Sequence, residues 1–176
     1  MEIDQCIQER RSVRKYNSKK VSWDNVAEIL EAGIQAPCAG GIQNYHFIVV
    51  QSSKKRGLIS KACRQSWMSQ APVFIVICND KQKTKKFYED VGEKYSTQNC
   101  AVAAENILLK AHSLGLSTCW IGSYDEIELA SILKLPENVN PDMIITIGYS
   151  DSKPKAPRRF SLDILTYFEE FGNTKK

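Results

Sequence analysis

The stretch Pro72-Val-Phe-Ile-Val-Ile-Cys78 contains no polar residue between Val73 and Ile77. A short run of β-branched and aromatic residues is typical of a strand that is covered on both faces. Two further runs have a similar composition, from Tyr45 to Gln51 and from Met143 to Gly148. These three segments predict a central β-sheet that lies buried between other layers.

The segments around these strands predict helices. Ser22 is a favourable N-cap, and the apolar residues from Val26 to Ile34 recur at the spacing of one helical face. The strongest helical pattern runs from Ala101 to Leu114 and is closed by Gly115. Because it is apolar on most sides, this helix is expected to be central to the domain or shared with a second subunit.

Helices mixed with strands, without internal repeats, predict a layered α+β or α/β fold. The chain has 176 residues, 43% of them apolar, and no break in composition, so we expect one domain over residues 1–176. The charged residues 81–94 form either a short exposed helix or a mobile segment.

The bulk composition disfavours several classes of protein. The net charge of +4 is spread along the chain, which does not indicate a nucleic-acid partner. No apolar run is long enough to span a membrane. The six cysteines form no Cys-x-x-Cys pair, so no metal site is expected and their use fits a reducing cytoplasm.

Two basic clusters are candidates for anion binding. The stretch Glu9-Arg-Arg-Ser-Val-Arg-Lys-Tyr16 places three arginines and a lysine around the hydroxyl of Ser12. Guanidinium groups present planar forks of donors to phosphate oxygens, and a serine hydroxyl can fill a remaining lone pair. The alternative is a solvated basic run at the end of a first helix. The second cluster comprises Lys153, Lys155, Arg158 and Arg159.

The C-terminal segment beyond the second basic cluster is rich in apolar and aromatic residues, from Phe160 to Phe171. A disordered tail rarely carries so much apolar surface. We therefore expect this segment to dock on its own subunit or on a partner subunit.

The sequence lacks the usual catalytic motifs. Its two histidines, His46 and His112, have no recognisable nucleophile setting, and the glycine-rich phosphate and dinucleotide loops are missing. Glu105, Asn106 and His112 are expected to be hydrogen-bonded structural groups. The enzymatic possibility that remains is a bound cofactor that carries the chemistry. A small-residue loop from Pro37 to Asn44 could allow its close approach.

Four stretches together resemble the nitroreductase-like family of FMN-dependent oxidoreductases, over essentially the whole chain. They are Arg10 to Tyr16, Ala36 to Phe47, Asn106 to Gly122, and Ile147 to Tyr149 with the following Lys153-Pro154 and Arg158-Arg159. The resemblance implies an α+β fold with a central mixed β-sheet flanked by helices. It also implies an intertwined homodimer with FMN at the interface.

The resemblance further implies which residues hold FMN. Arg10, Ser12, Arg14 and Arg159 would bind the phosphate and the pyrimidine side of the flavin, with Arg11 and Arg158 as further members. The loop of the other subunit would face the ring with Pro37, Cys38, Ala39, Gly41 and Gln43. The backbone of Trp120, Ile121, Gly122 and Ser123 would lie over the flavin.

The activity that the resemblance implies is carried by the flavin, with no catalytic side chain. NADH or NADPH would deliver hydride, and a small-molecule acceptor such as a nitroaromatic or quinone would follow in a ping-pong cycle. One alternative is a specialised flavin-dependent enzyme that acts on a metabolite or peptide. Another is a basic module without redox activity that binds nucleotides or nucleic acid.

The sequence departs from the family pattern at several positions in and just after the loop. Cys38 stands where a serine is common, Gly41 where an asparagine is common, and Asn44-Tyr45 where Pro-Trp is common. Cys38 is expected to be a simple replacement of serine rather than a redox residue. The charged composition of residues 80–99 predicts an exposed flavin face without an apolar lid, and therefore broad acceptor tolerance.

Overall fold

The computed structural model describes residues 1–174. Within them the main chain forms four β-strands and seven α-helices. The strands are β1 (Tyr45–Val50), β2 (Val73–Asn79), β3 (Ser117–Ile121) and β4 (Asn140–Gly148). The helices are α1 (Ile3–Glu9), α2 (Trp23–Ile34), α3 (Ser53–Ala62), α4 (Lys81–Tyr88), α5 (Val91–Ser113), α6 (Glu126–Leu133) and α7 (Leu162–Leu165).

The four strands form one sheet in the order β1-β2-β4-β3. Every neighbouring pair is antiparallel, with Ile75 of β2 opposite both Val49 of β1 and Ile145 of β4. The sheet therefore has the α+β character that was predicted. The predicted mixed pairing is not found among these four strands, and the one parallel pairing in the described residues is an isolated bridge between Ser12 and Thr118.

Strand β2 is buried along its whole length because helices cover both faces of the sheet. Ile75 and Ile77 belong to a core cluster with α2 and α5, whereas Phe74 and Val76 belong to a second cluster with α3 and α6. Side chains alternate between the faces of a strand. The continuous apolar run thus reflects two buried faces.

The helix that was predicted over residues 101–114 begins ten residues earlier, at Val91. Its N-terminal half was not recognised because polar residues such as Ser96 and Asn99 point into the protein, where both are buried. Most apolar residues of α5 are buried in this chain, including Ile107 and Leu108. Helix α5 is therefore central to the domain, which is one of the two roles predicted for it.

The charged residues 81–94 form helix α4 and the first turn of α5. These helices pack closely, since a Cβ atom on Gly92 would lie 2.6 Å from the carbonyl carbon of Thr84. A side chain at Gly92 would push the two helices apart.

The apolar C-terminal segment does not pack into the core of its own chain. The exposed fractions are 72% for Phe160, 80% for Leu162 and 92% for Phe171. Of the two docking modes predicted for this segment, burial on its own subunit is wrong. Over residues 1–174 no helix combines the length and apolar character needed to span a membrane.

Candidate functional site

The first basic cluster follows the outer edge of the sheet. The backbone N–H of Val13 donates to the carbonyl oxygen of Thr118 on β3 over 2.8 Å. The side chain of Val13 is buried, whereas its neighbours Ser12 and Arg14 are exposed. The extended backbone thus buries one side chain and presents a hydroxyl and a guanidinium group on the outside.

Tyr16 anchors the end of this segment beneath the sheet. Its hydroxyl donates to the carbonyl oxygen of Val13 over 2.9 Å and lies 2.7 Å from Oγ1 of Thr146 on β4. Its backbone N–H donates to Oε1 of Gln70 over 3.2 Å. Burial raises the pKa of the Tyr16 phenol, so it acts as a neutral hydrogen-bonding group.

The first basic cluster, which we call the basic segment (residues 9–16), and residues 154–159 of the second cluster together enclose a cleft of about 670 Å³, which we call the basic cleft. Its polar lining includes Arg10, Arg11, Ser12, Arg14, Lys155 and Arg159. The two clusters that are far apart in the sequence thus meet in space. Arg158 is exposed and is not part of the lining.

The basic cleft carries uncompensated positive charge. Among the described residues, Arg10 is the one cation of its lining with a carboxylate nearby, Oε1 of Glu105 at 3.7 Å. Arg11 donates to the carbonyl oxygens of Gln8 and Arg10, and the guanidinium carbon of Arg14 lies 5.9 Å from the ring centre of Trp67. These contacts hold the arginines without neutralising them, so the cleft favours an anion.

His112 lies beside the basic cleft, in an adjoining cavity of about 360 Å³ that Arg10 and Arg11 also line. Its Nε2 atom is buried and has no hydrogen-bond partner within the described residues. Burial lowers the pKa of His112, and Arg10 and Arg11 lower it further against the opposing effect of Glu9. The imidazole is therefore neutral at neutral pH.

The loop that was predicted to face a cofactor, Pro37 to Gln43, does not line the basic cleft of its own chain. Residues Ala39–Gly41 form a short 3-10 turn in which Gly40 and Gly41 have φ angles of 57° and 70°. Gln43 donates to the carbonyl oxygen of Ile34 over 2.9 Å. The Cys38 thiol donates to the carbonyl oxygen of Ala36 over 3.4 Å.

The predicted residues Trp120 to Ser123 are at the end of β3 and just beyond it. Ile121 is buried, whereas Trp120 is 37% exposed and Gly122 and Ser123 are exposed. These residues do not line the basic cleft. They do belong to or follow β3, the strand that accepts a hydrogen bond from Val13 of the basic segment.

Sequence reasoning missed a group of buried polar residues beneath the loop: Asn44, Asn79, Ser96 and Asn99. All four are at most 3% exposed. Asn99 bonds the loop directly, since its Oδ1 accepts from the N–H of Ala39 over 3.0 Å. The available signal was the position of Ser96 and Asn99 in a segment that continues the apolar helix towards its N-terminus.

Comparison with known proteins identifies one matching family and several similar proteins. Residues 7–67 and 55–149 match the model of a family described as the nitroreductase family. A Methanothermobacter thermautotrophicus protein, provisionally named NADH dehydrogenase/NAD(P)H nitroreductase, is 34% identical over 93% of this chain and 85% of its own length. The Bacillus subtilis protein named FMN reductase [NAD(P)H] is 31% identical, over 89% of this chain and 70% of its own.

A solved structure extends the similarity to the fold. The structure described as an FMN-dependent nitroreductase from Clostridium difficile superimposes with a TM-score of 0.82 at 30% identity. The match covers 96% of this chain and 99% of that chain.

Proposed function

Because the chain belongs to the nitroreductase family, we propose that it is an FMN-dependent oxidoreductase that uses NADH or NADPH as electron donor. The electron acceptors would be small molecules of the nitroaromatic or quinone type. Relatives are named FMN reductase and NADPH-flavin oxidoreductase, which supports the choice of cofactor and donor.

The observation that carries this proposal is the meeting of Arg10, Ser12, Arg14 and Arg159 in the basic cleft. The donors of this set suit the terminal phosphate of FMN, because guanidinium groups can bond its oxygens in pairs and the hydroxyl of Ser12 can take a further oxygen. The exposed cations have little compensating acid within the described residues. A dianionic phosphate would supply that compensation.

We propose distinct roles for the residues of the cleft. Arg10, Ser12 and Arg159 would hold the phosphate, with Arg11 nearby, while Arg14 would present its charge to the pyrimidine edge of the flavin. Trp67 would keep the guanidinium of Arg14 in place through its ring contact. Arg158 would have at most a weaker role, because it does not line the cleft.

FMN, when bound, supplies the redox chemistry by accepting hydride from the nicotinamide and passing electrons to the acceptor. The chain would contribute binding, orientation and positive charge near the ring, which favours added negative charge there. The backbone of Trp120 to Ser123 would border the ring, and donor and acceptor would use the same face in turn. No side chain of this chain is required as a nucleophile.

We further propose that the working unit is a homodimer. In one chain the loop from Pro37 to Gln43 lies away from the basic cleft, so it would reach the flavin of a second subunit. Exposed apolar residues are available for the contact between subunits, among them Trp23 at 60% and Phe160 at 72% exposure. Burial of such surface favours association.

The test is flavin loading followed by reduction. Purified protein should take up FMN, turn yellow, and lose its flavin absorption under anaerobic conditions when NADH or NADPH is added. Nitroaromatics and quinones should then restore the absorption. Protein that takes up no FMN, or whose flavin stays oxidised with both nicotinamides, would contradict the proposal. Reduction without reoxidation by either acceptor class would favour a specialised reductase.

A further inference from the structure

A network of buried amide side chains lies beneath the loop Cys38–Gln43. The exposed fractions are 0% for Asn44, 1% for Asn79 and 3% for Asn99. Burying polar groups is costly unless each is hydrogen-bonded, and a fully bonded network is correspondingly rigid. None of these residues lines the basic cleft.

Asn99 of α5 connects this network to the loop. Its Oδ1 accepts from the backbone N–H of Ala39 over 3.0 Å. Its Nδ2 donates to the carbonyl oxygen of Ile42 over 3.1 Å and to Oδ1 of Asn44 over 2.7 Å. One side chain therefore bonds the backbone on both sides of the turn that contains Gly40 and Gly41.

Asn44, which accepts from Asn99, is itself hydrogen-bonded to neighbouring residues. Nδ2 of Asn44 donates to Oδ1 of Asn79 over 2.8 Å and to the carbonyl oxygen of Ser96 over 3.0 Å. Nδ2 of Asn79 donates to Oγ of Ser96 over 3.2 Å. The network thus ties the loop to β2 and α5 and to Asn44, the residue that precedes β1.

The loop needs such support because its own sequence does not determine its conformation. Gly40 and Gly41 both have positive φ angles, 57° and 70°, and glycine has wide conformational freedom. The hydroxyl of Tyr88 occupies the position that a side chain on Gly40 would take. The turn is therefore shaped by its surroundings, chiefly by Asn99.

We propose that Asn99 is a positioning residue for the flavin ring, acting through the backbone of Ala39 and Ile42. This inference rests on the function proposed above, in which the loop meets the flavin of the second subunit. Asn99 is buried and does not line the basic cleft, so its effect would pass through the loop backbone. It sets the distance and orientation of the loop backbone, and hence the environment of the ring rather than that of the phosphate.

The test compares Asn99→Ala with Asn106→Ala in full-length protein loaded with FMN. Asn106 lies on the same helix and donates to the carbonyl oxygen of Ala32 over 3.1 Å, a residue of α2 rather than of the loop. Loss of the Asn99 contacts should raise the dissociation constant for FMN by ~10-fold. It should also change the visible circular dichroism and the midpoint potential of the flavin that remains bound. Asn106→Ala should match the wild type in all three quantities.

A second variant tests the donor contacts of Asn99 separately, and far-UV circular dichroism of each variant checks that it is folded. Asn99→Asp has the same shape and keeps the acceptor for Ala39, but its carboxylate cannot donate to Ile42 and Asn44. It should likewise change the flavin spectrum and the midpoint potential, because it too removes the donor contacts to the loop.

Two outcomes would overturn the inference alone: wild-type affinity, dichroism and potential in both Asn99 variants, or equal changes in Asn106→Ala. If the wild type took up no FMN, the proposed function would fail together with this inference.

Discussion

The hydroxyl group of Tyr16 lies 2.7 Å from the hydroxyl group of Thr146. This contact joins the end of the basic segment to β4, a strand in the interior of the sheet. The Tyr16 hydroxyl also donates to the carbonyl oxygen of Val13 over 2.9 Å. The backbone that presents Ser12 and Arg14 is therefore tied to the core.

Tyr16→Phe should lower the free energy of unfolding by about 1–2 kcal/mol, because it leaves buried acceptors without their donor. Thr146→Val should also destabilise the protein, and the double variant should lose less than the sum of the two. Urea denaturation of the three variants gives the coupling energy, which should exceed about 0.5 kcal/mol. Strictly additive losses would show that the two hydroxyl groups do not interact.

Arg159→Gln should raise the dissociation constant for FMN by roughly 10- to 100-fold, the usual cost of losing a charge-assisted hydrogen bond to a phosphate. Arg158→Gln is the matched control, because both side chains are exposed but that of Arg158 does not line the basic cleft. Fluorescence titration of the apoprotein with FMN measures both constants. A larger loss in Arg158→Gln would reverse the assignment of the two neighbours.

Gly92→Ala should destabilise the protein by about 1–3 kcal/mol, since the added methyl group would overlap the backbone of Thr84 and Lys85. Gly57→Ala in helix α3 is the control. Nothing lies within 4 Å of the added atom there, so the better helix propensity of alanine should stabilise the protein by about 0.5–1 kcal/mol. Thermal or urea unfolding checks both, and equal effects would refute the close packing of α4 on α5.

Strand β2 and helix α5 show which parts of the fold could be predicted from the sequence and which could not. The apolar run of β2 predicted a doubly covered strand because both of its faces are buried. The start of α5 was missed because Ser96 and Asn99 are polar and yet buried. A pattern method treats such residues as surface, whereas here other polar groups satisfy them in the interior.

The candidate site, too, could be predicted from the sequence only in part. The basic cluster around Ser12 was visible because its residues are consecutive, and its link to Arg159 came from the family resemblance. Arg159 lines the cleft and Arg158 does not. Which of two neighbouring side chains faces the cleft depends on the backbone conformation of an extended segment, and the composition does not determine that conformation. The support of the loop by Asn99 depends on a contact between residues distant in sequence.

Acidification should weaken the folded state through His112, whose pKa is lowered by burial. Since the unfolded chain binds a proton near the ordinary pKa of about 6.5, it binds more protons than the folded chain just below that pH. The free energy of unfolding should therefore fall as the pH drops from about 7 towards 5. His112→Gln should show a smaller fall over this range, as measured by denaturation at each pH. Superimposable profiles would contradict the neutral buried imidazole.

The most direct test of the proposed cofactor site compares FMN with riboflavin, which has the same ring but no phosphate. If Arg10, Ser12 and Arg159 hold the phosphate, the apoprotein should bind FMN at least ~100-fold more tightly than riboflavin, corresponding to two or more charge-assisted hydrogen bonds. The difference should shrink as the salt concentration rises. Equal dissociation constants for the two flavins would contradict the assignment of the basic cleft as the phosphate site.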